Sequence, residues 1–388
     1  MISIKEAVKR ISDENVQMRS DEIALNDALS YVLSETVLSP ISMPPFDQSA
    51  MDGYALFGNI DKYKVVGELK AGDQPWNKDL TNGEALRIFT GAFVPTATYA
   101  VVKQEDINTN EGDIIVPKEI LEGANIRRKG VEIQKGQIAL KKGTLLNAAA
   151  IGFLAGLGIQ KVRVICKPKI SVLITGNELV APGSVLVPGE IYESNSITLK
   201  AAIKEFGFSA KSSHVKDDYQ TTVNSIEREL NGNNVLIITG GISVGDYDFV
   251  GKALAELDVK EIFYSVNQRP GKPMYFGTKE GTLIFGLPGN PAAVLTCFYM
   301  YILPALKKMS GCNYHLTPET ATLKQNYSKH GDREYLLKAR LKNGVAEIFD
   351  RQSSAMLSSF VTANSLLHLP AGARDVKKGD TVEVYPLW

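Results

Sequence analysis

Cysteine and histidine are scarce in this chain, with three of the first and four of the second among 388 residues. Cys166, Cys297 and Cys312 are odd in number and widely spaced. That fits neither a disulfide framework nor a zinc knuckle, and points to a reducing compartment. His214, His315, His330 and His368 have no metal-ligand spacing, and no Ser–His–Asp signature accompanies them, so nucleophilic catalysis by a side chain is not indicated. Net charge is missing too: 43 basic side chains balance 43 acidic ones, without the basic excess of a nucleic-acid binder. The short run Arg127-Arg128-Lys129 reads as a solvated turn. No apolar run reaches membrane-spanning length, Met1 to Arg10 lacks a signal-peptide core, and no low-complexity tract or short-period repeat is present. The chain is 44% hydrophobic and 22% charged. The expectation is a soluble, cytoplasmic protein of roughly two to four domains, without nucleic-acid or membrane partners.

What the chain does have is a set of short apolar runs that end in glycine-rich loops. Lys169–Ile174 leads into Thr175-Gly176-Asn177-Glu178, and Val235–Ile238 into residues 239–246, Thr-Gly-Gly-Ile-Ser-Val-Gly-Asp. Glu261–Val266 precedes Arg269-Pro270-Gly271-Lys272-Pro273, and Leu283–Phe285 precedes Gly286-Leu287-Pro288-Gly289-Asn290-Pro291. With helices between them, these predict a parallel sheet whose loops gather at the strands' carboxyl ends, the ligand edge of open α/β sheets.

Around this core, Ser3 and Glu6 form a capping box for an amphipathic helix carrying Ile4, Ala7, Val8 and Ile11. A second helix is expected around Asn26–Ser34 from the spacing of Leu25, Ala28, Leu29 and Val32. Residues 62–143, punctuated by glycines and short β-type runs (Lys64–Val66, Ala85–Phe89, Ala100–Lys103), predict an inserted β subdomain of about 45–143. Asn147–Leu157 reads as a helix and Lys161–Cys166 as a strand. The expected division is 1–167, 168–311 for the α/β domain, and 312–388 for a C-terminal β domain. Its strands are expected at Glu334–Leu341, Ala346–Phe349, Leu366–Leu369 and Thr381–Tyr385. Asn290 as N-cap with Pro291 as first residue launches a helix to about Ser310, in which Tyr299, Met300 and Tyr301 are packing residues.

The loop at 239–246 offers clustered backbone N–H groups and hydroxyls before a helix, a cradle for phosphate, yet it is neither a P-loop nor a G-x-G-x-x-G. Gly286–Pro291 reads as a second anion-ready helix start, with Lys272 as a point charge nearby. Glu178, Asp217, Asp246 and Asp248 fall at the same edge. Carboxylates beside a phosphate need a hard cation between them, which is the usual setting of Mg²⁺. The stretch Pro44-Pro45-Phe46-Asp47-Gln48-Ser49-Ala50-Met51-Asp52-Gly53-Tyr54-Ala55 reads, on spacing alone, as a rigid turn with Asp52-Gly53 as a hairpin signal.

Five of these strings, in this order, resemble those of the molybdopterin molybdenumtransferase family, MoeA and the gephyrin E domain, over essentially the whole chain. They are Pro44–Ala55 (PPFDxSAMDGYA), Thr175–Leu179, Thr239–Asp248, Pro270–Pro273 (PGKP) and Gly286–Pro291 (GLPGNP). The resemblance implies a molybdopterin-binding α/β domain with an inserted N-terminal β subdomain and a C-terminal β-barrel-like domain. It implies insertion of molybdate into adenylylated molybdopterin, with release of AMP, a divalent cation (Mg²⁺ or Zn²⁺), and a homodimer whose cleft is completed by the N-terminal β region of the other subunit.

Carried over by position, the catalytic set is Asp52, Thr90, Glu178, Asp217 and Asp248, and Glu178, Asp217 and Asp248 are its metal-side members. The pterin and phosphate contacts are Thr175, Gly176, Thr239, Gly240, Gly241, Ser243, Gly245, Lys272, Pro288, Gly289, Asn290 and Pro291. Of the adjacent Asp217 and Asp218, either can face the ligand, and Asp217 is favoured. Two positions depart from the family: Glu132 in its GxDI element and Glu193 in its IYDxN element, each glutamate for aspartate. Exchange with a molybdopterin adenylyltransferase and with cofactor-receiving enzymes is also implied. The alternatives are a molybdopterin adenylyltransferase, which lacks the flanking halves, and a gephyrin-like scaffold.

Overall fold

The structure, a computed structural model, describes all residues except 15, 17, 111, 117–118, 243–248 and 388. The chain divides into two compact units. One comprises Met1–Asp21, Ser30–Val32 and Ile165–Trp388, and the other Glu22–Leu29 and Leu33–Val164.

The first unit is built on a six-stranded sheet in the order Ala210–Val215, Ile170–Thr175, Val235–Thr239, Thr282–Leu287, Pro273–Lys279, Lys260–Ser265. The first four are parallel, as continuous apolar runs predict for strands covered on both faces. Ile170–Thr175, Val235–Thr239 and Thr282–Leu287 are buried at every position. The fifth strand, not foreseen, is antiparallel to both neighbours. It forms a hairpin with Thr282–Leu287 through Glu280 and Gly281, both at positive φ (47° and 81°), as a two-residue hairpin turn requires. Because two antiparallel steps restore direction, Lys260–Ser265 still delivers its following loop to the same sheet edge as the others.

The Ala- and Leu-rich segment after Asn290 becomes a continuous helix, Pro291–Met309, with one wider turn at Phe298–Ile302. It is long and apolar enough to cross a membrane, which the sequence reading missed, but most of it is buried within the fold. Phe298, Tyr301, Ile302 and Leu306 are at or below 1% exposure. Each such side chain contributes up to roughly 1.5–3 kcal/mol of burial. The N-terminal helix Ile4–Asp13 presents Ile4, Ala7 and Ile11 to the same core. Its capping box is half made. Ser3 Oγ accepts from Glu6 N–H at 3.1 Å, while the Glu6 carboxylate turns to Arg10 Nε at 2.8 Å.

The C-terminal part of this unit is a closed barrel of five strands: Glu334–Lys342, Val345–Ile348, Glu319–Leu323, Thr381–Pro386 and Ser365–Leu369, the last pairing back with the first. Gln268–Arg269 joins it in parallel with Glu334 and Tyr335, so the loop carrying Lys272 is tied to the barrel.

The second unit holds a six-stranded sheet in the order Ala100–Lys103, Gly53–Leu56, Glu84–Ile88, Lys62–Leu69, Asp113–Ile115, Asn108–Asn110. Alternation sends Ala55, Leu86 and Val101 to one face and Leu56, Ala85 and Val102 to the other. The helix expected over 26–34 is not there. A single 3-10 turn, Leu25–Asp27, is followed by Ser30 at φ 63° and the strand Val32–Leu33. Backbone donors here go to distant partners, Leu25 N–H to Gln160 O, Leu33 N–H to Thr144 O and Ser34 N–H to Arg163 O. Those bonds outweigh a helical spacing of apolar residues that is equally served by burial in a sheet.

Candidate active site

The carboxyl ends of the parallel strands bring Ile174, Thr239 and Leu287 into register, with Thr175 one residue beyond. Gly176 has φ 147°, and Gly240 has φ 87°. A Cβ on Gly240 would lie 2.6 Å from Thr175 O and one on Gly241 2.9 Å from Thr175 Oγ1. The two loops therefore touch through bare backbone, which only glycine permits. Asn177 and Asp217 brace each other across adjacent strands. Asn177 N–H donates to Asp217 Oδ2 at 3.2 Å, and Asp217 N–H donates to Asn177 Oδ1 at 3.1 Å. Asp218 has a different task. It caps the Tyr219–Leu230 helix, accepting from Thr221 N–H at 2.8 Å and Thr221 Oγ1 at 2.5 Å. Asp217 thus lies beside the Thr175–Glu178 loop while Asp218 is occupied with the helix. Ser243, Gly245, Asp246 and Asp248 lie outside the described residues.

Two cavities flank the Pro288–Pro291 loop. The smaller, about 390 Å³, is lined by Thr175, Glu178, Glu193, Asn195, Thr239 and Pro291 among others. Three buried polar atoms on these walls have no hydrogen-bond partner among the described residues: Thr175 Oγ1, Thr239 Oγ1 and Asn195 Oδ1. Buried polar groups are rarely left unpaired, and when they are, a ligand or water is the usual partner. The larger cavity, about 900 Å³, is lined by Arg269, Lys272, Pro288, Arg333 and Ser354 among others. Neither Lys272 nor Arg333 makes an ion pair among the described residues. Arg269 Nη1 donates to Tyr335 OH at 2.9 Å, which holds its guanidinium across that ring.

The helix start at Pro291 is not the open anion site that its sequence predicts. Ala292 N–H donates to Ser354 O at 2.9 Å, and Ala293 N–H is shared between Asn290 O and Ser354 O. Asn290 occupies the N-cap position without capping, because its Nδ2 donates to Ser354 Oγ at 3.0 Å. The barrel segment around Ser354 already occupies the donors that the helix would offer.

In the second unit Asp52 Oδ1 accepts from Thr90 N–H and Thr90 Oγ1, both at 2.8 Å. These bonds hold the exposed Asp52 carboxyl below the usual aspartate range. The Asp52-Gly53 pair is not a hairpin turn. Gly53 opens a strand, and a Cβ there would fall 1.8 Å from Val102 O. Asp47 of the same stretch accepts from Arg128 Nη1 and Lys129 N–H, each at 2.8 Å, so part of the basic run is tied down. Glu132 is exposed.

Gln268 and Lys338 were not anticipated, and Glu193 was singled out only as a departure from a motif. Gln268 is fully buried, with its Nε2 donating to Pro270 O at 3.0 Å and Gly271 O at 3.2 Å, while Tyr301 OH donates to its Oε1. It shapes the loop that presents Lys272, and its place directly before Arg269-Pro270 was the available signal. Glu193 Oε1 and Oε2 accept from Ser196 N–H (2.8 Å) and Ser196 Oγ (2.6 Å). Lys338, buried in the barrel, donates to Met356 O at 2.9 Å and Ser353 O at 3.3 Å. Gln352 bonds the Lys338 backbone in both directions.

Comparison with known proteins agrees along the whole chain. Residues 2–158 match the family described as MoeA N-terminal region (domain I and II), 171–308 the "Probable molybdopterin binding domain", and 320–387 the MoeA C-terminal region (domain IV). The molybdopterin molybdenumtransferase of Staphylococcus epidermidis is 32% identical over 401 residues, covering 99% of this chain and 95% of that protein. Its counterpart in Staphylococcus aureus is 31% identical over 399 residues, with the same coverage. The crystal structure of a molybdopterin biosynthesis MoeA protein from Pyrococcus horikoshii superposes with a TM-score of 0.83 at 31% identity, covering 100% of this chain and 99% of that one. Fold and sequence together define a protein with an α/β domain of the molybdopterin-binding fold, matched along its length by three family regions. The chain belongs to the molybdopterin molybdenumtransferase (MoeA) family.

Proposed function

We propose that this protein is a transferase of molybdenum cofactor biosynthesis that inserts molybdate into adenylylated molybdopterin and releases AMP. The observation that carries this reading is the pair of unlike cavities on either side of the Pro288–Pro291 loop, one lined by Arg269, Lys272 and Arg333 together with Asp332 and Asp350, and one by residues that carry unpaired buried polar atoms. A substrate with a pyrophosphate and a heterocycle needs both kinds of wall. Lys272 and Arg333 suit phosphate and molybdate oxygens, and the Thr175–Asn195–Thr239 walls suit a polar ring. The protein's contribution is positioning and charge neutralisation, without a covalent intermediate.

A divalent cation is part of the proposal. Glu178 and Asp217 form no ion pair among the described residues, and no three His, Cys, Asp or Glu side chains cluster there as a ready-made cage. Two carboxylates that need substrate phosphates to complete the shell fit Mg²⁺ better than Zn²⁺. Glu178 and Asp217 would hold it, with Asp248 as a third candidate. When bound, it would offset the negative charge that builds on the pyrophosphate as the P–O bond breaks. All three cysteines are free, which suits a cytoplasmic enzyme.

Molybdate-dependent AMP release with Mg²⁺ tests the reaction. Glu178→Ala and Asp52→Ala should each lower the rate roughly 10²-fold or more. No release by the folded wild-type protein rejects the assignment. The homodimer with a shared cleft has its own test: co-expressing the two inactive variants should regenerate intact sites and restore part of the activity. Inactivity of the mixed dimer places both residues within one subunit's site.

A further inference from the structure

Asn195 opens the Asn195–Glu205 helix and is only 8% exposed. Its Nδ2 donates to Gly289 O at 2.8 Å. That bond sets the orientation of the amide, because the flipped form would face one carbonyl oxygen with another. Oδ1 is the atom left over. It is buried and has no partner among the described residues, and Asn195 is one of the residues that line the smaller cavity.

The missing partner's chemistry is narrow. An amide oxygen accepts a hydrogen bond or ligates a cation, so neither phosphate nor molybdate can satisfy it, and a cation held at Glu178 on the same walls would leave ring amines undiscriminated. Glu193, on the same walls, is also an acceptor and is already engaged by Ser196. Cationic side chains that would hold an anion line the other cavity, beyond the loop whose Gly289 carbonyl fixes Asn195. The same residue therefore shapes the partition and lines one compartment of it.

We infer that Asn195 is a specificity-determining residue whose Oδ1 accepts a hydrogen bond from an exocyclic amino group on the substrate's heterocycle. This rests on the reading of the protein as a pterin-acting transferase. Two rings of the proposed substrate carry such an amine, the pterin and the adenine, and the test separates them.

Equilibrium binding to the wild-type protein is measured by calorimetry for two pairs. One is pterin against pteridin-4-one, and the other is AMP against purine riboside monophosphate, the second member of each lacking only the amino group. One pair should be discriminated roughly tenfold in favour of the amine, which identifies the ring. Asn195→Ala should abolish that preference, and Asn195→Asp, which keeps an acceptor oxygen, should retain it. Equal binding within both pairs, no binding of any of the four, or a preference that survives Asn195→Ala overturns the inference. Should Asn195→Ala fail to fold, the wild-type pairs and Asn195→Asp still decide it. AMP release is followed separately. Turnover without discrimination removes the role of Asn195 alone, and discrimination without turnover removes the proposed reaction alone.

Discussion

The two cavities beside the Pro288–Pro291 loop share Asn290 as a wall yet are built from different materials. The smaller is made largely at the ends of parallel strands, where Thr175 and Thr239 each close a buried apolar run. The larger is made where the α/β domain meets the barrel, from Arg269 and Lys272 on one side and Arg333 and Ser354 on the other. Rigid strand ends favour reading a ring by hydrogen bonds. A junction of two layers can bring long cationic side chains together around an anion. The segment Ser353–Ala355 contributes to both and is held from beneath by Lys338 and Gln352.

The largest effect that would sharpen this contrast is expected at Lys272. Lys272→Ala should lower kcat/KM for AMP release roughly 10²-fold and weaken pyrophosphate binding, while leaving free pterin or AMP-ring discrimination in place. Equal losses for both ligand types in calorimetry would break the comparison. Next is Gln268→Leu, which strips the donors from Pro270 O and Gly271 O and the acceptor from Tyr301 OH. Unpaired buried groups of this kind cost roughly 2–4 kcal/mol together, measurable by urea unfolding, with a raised KM for substrate because the Lys272 loop loses its brace.

Lys338 makes a smaller, pH-dependent contribution. Burial pushes its pKa from 10.5 down to about 8. Between those values the unfolded chain holds one more proton than the folded one, so stability should rise with pH across that window, by roughly 1–3 kcal/mol. Lys338→Met should flatten that slope in unfolding curves recorded from pH 7.5 to 10.5. An unchanged slope would assign the dependence elsewhere. The smallest effect is expected from Thr90→Val, which removes the hydroxyl donor to Asp52 and keeps the N–H. The depressed Asp52 pKa should move back toward its usual value, so the acid-side loss of activity should begin at a higher pH, with a few-fold change at most near neutrality. A pH–rate profile superimposable on wild type would show that the hydroxyl contact does not act on the reaction.

Much of the α/β domain was legible because its information is local. Val235–Thr239 and Thr282–Leu287 are apolar throughout and end in Gly-rich loops, a pattern with one stable solution once both faces must be covered. Asp218 and Asn147 cap helices where short polar side chains precede helical runs. The strand Pro273–Lys279 was less legible, because it starts with proline and is recognisable only from the hairpin it forms. The helix expected over 26–34 failed for the converse reason, that its apolar spacing was compatible with strand partners far away in sequence.

By itself the sequence determined the order of the loops, the residue types at the strand ends and, through five motifs, the family. Those depend on backbone torsions and on side chains adjacent in the chain. Only the tertiary structure decided which donors remain available. It closed the Pro291 helix start with Ser354 O, assigned Asp218 to a cap beside Asp217, and left Asn195 Oδ1 buried and unpaired among the described residues. A hydrogen bond is satisfied once, by whichever partner arrives from any distance along the chain, and that allocation exists only after the layers have packed.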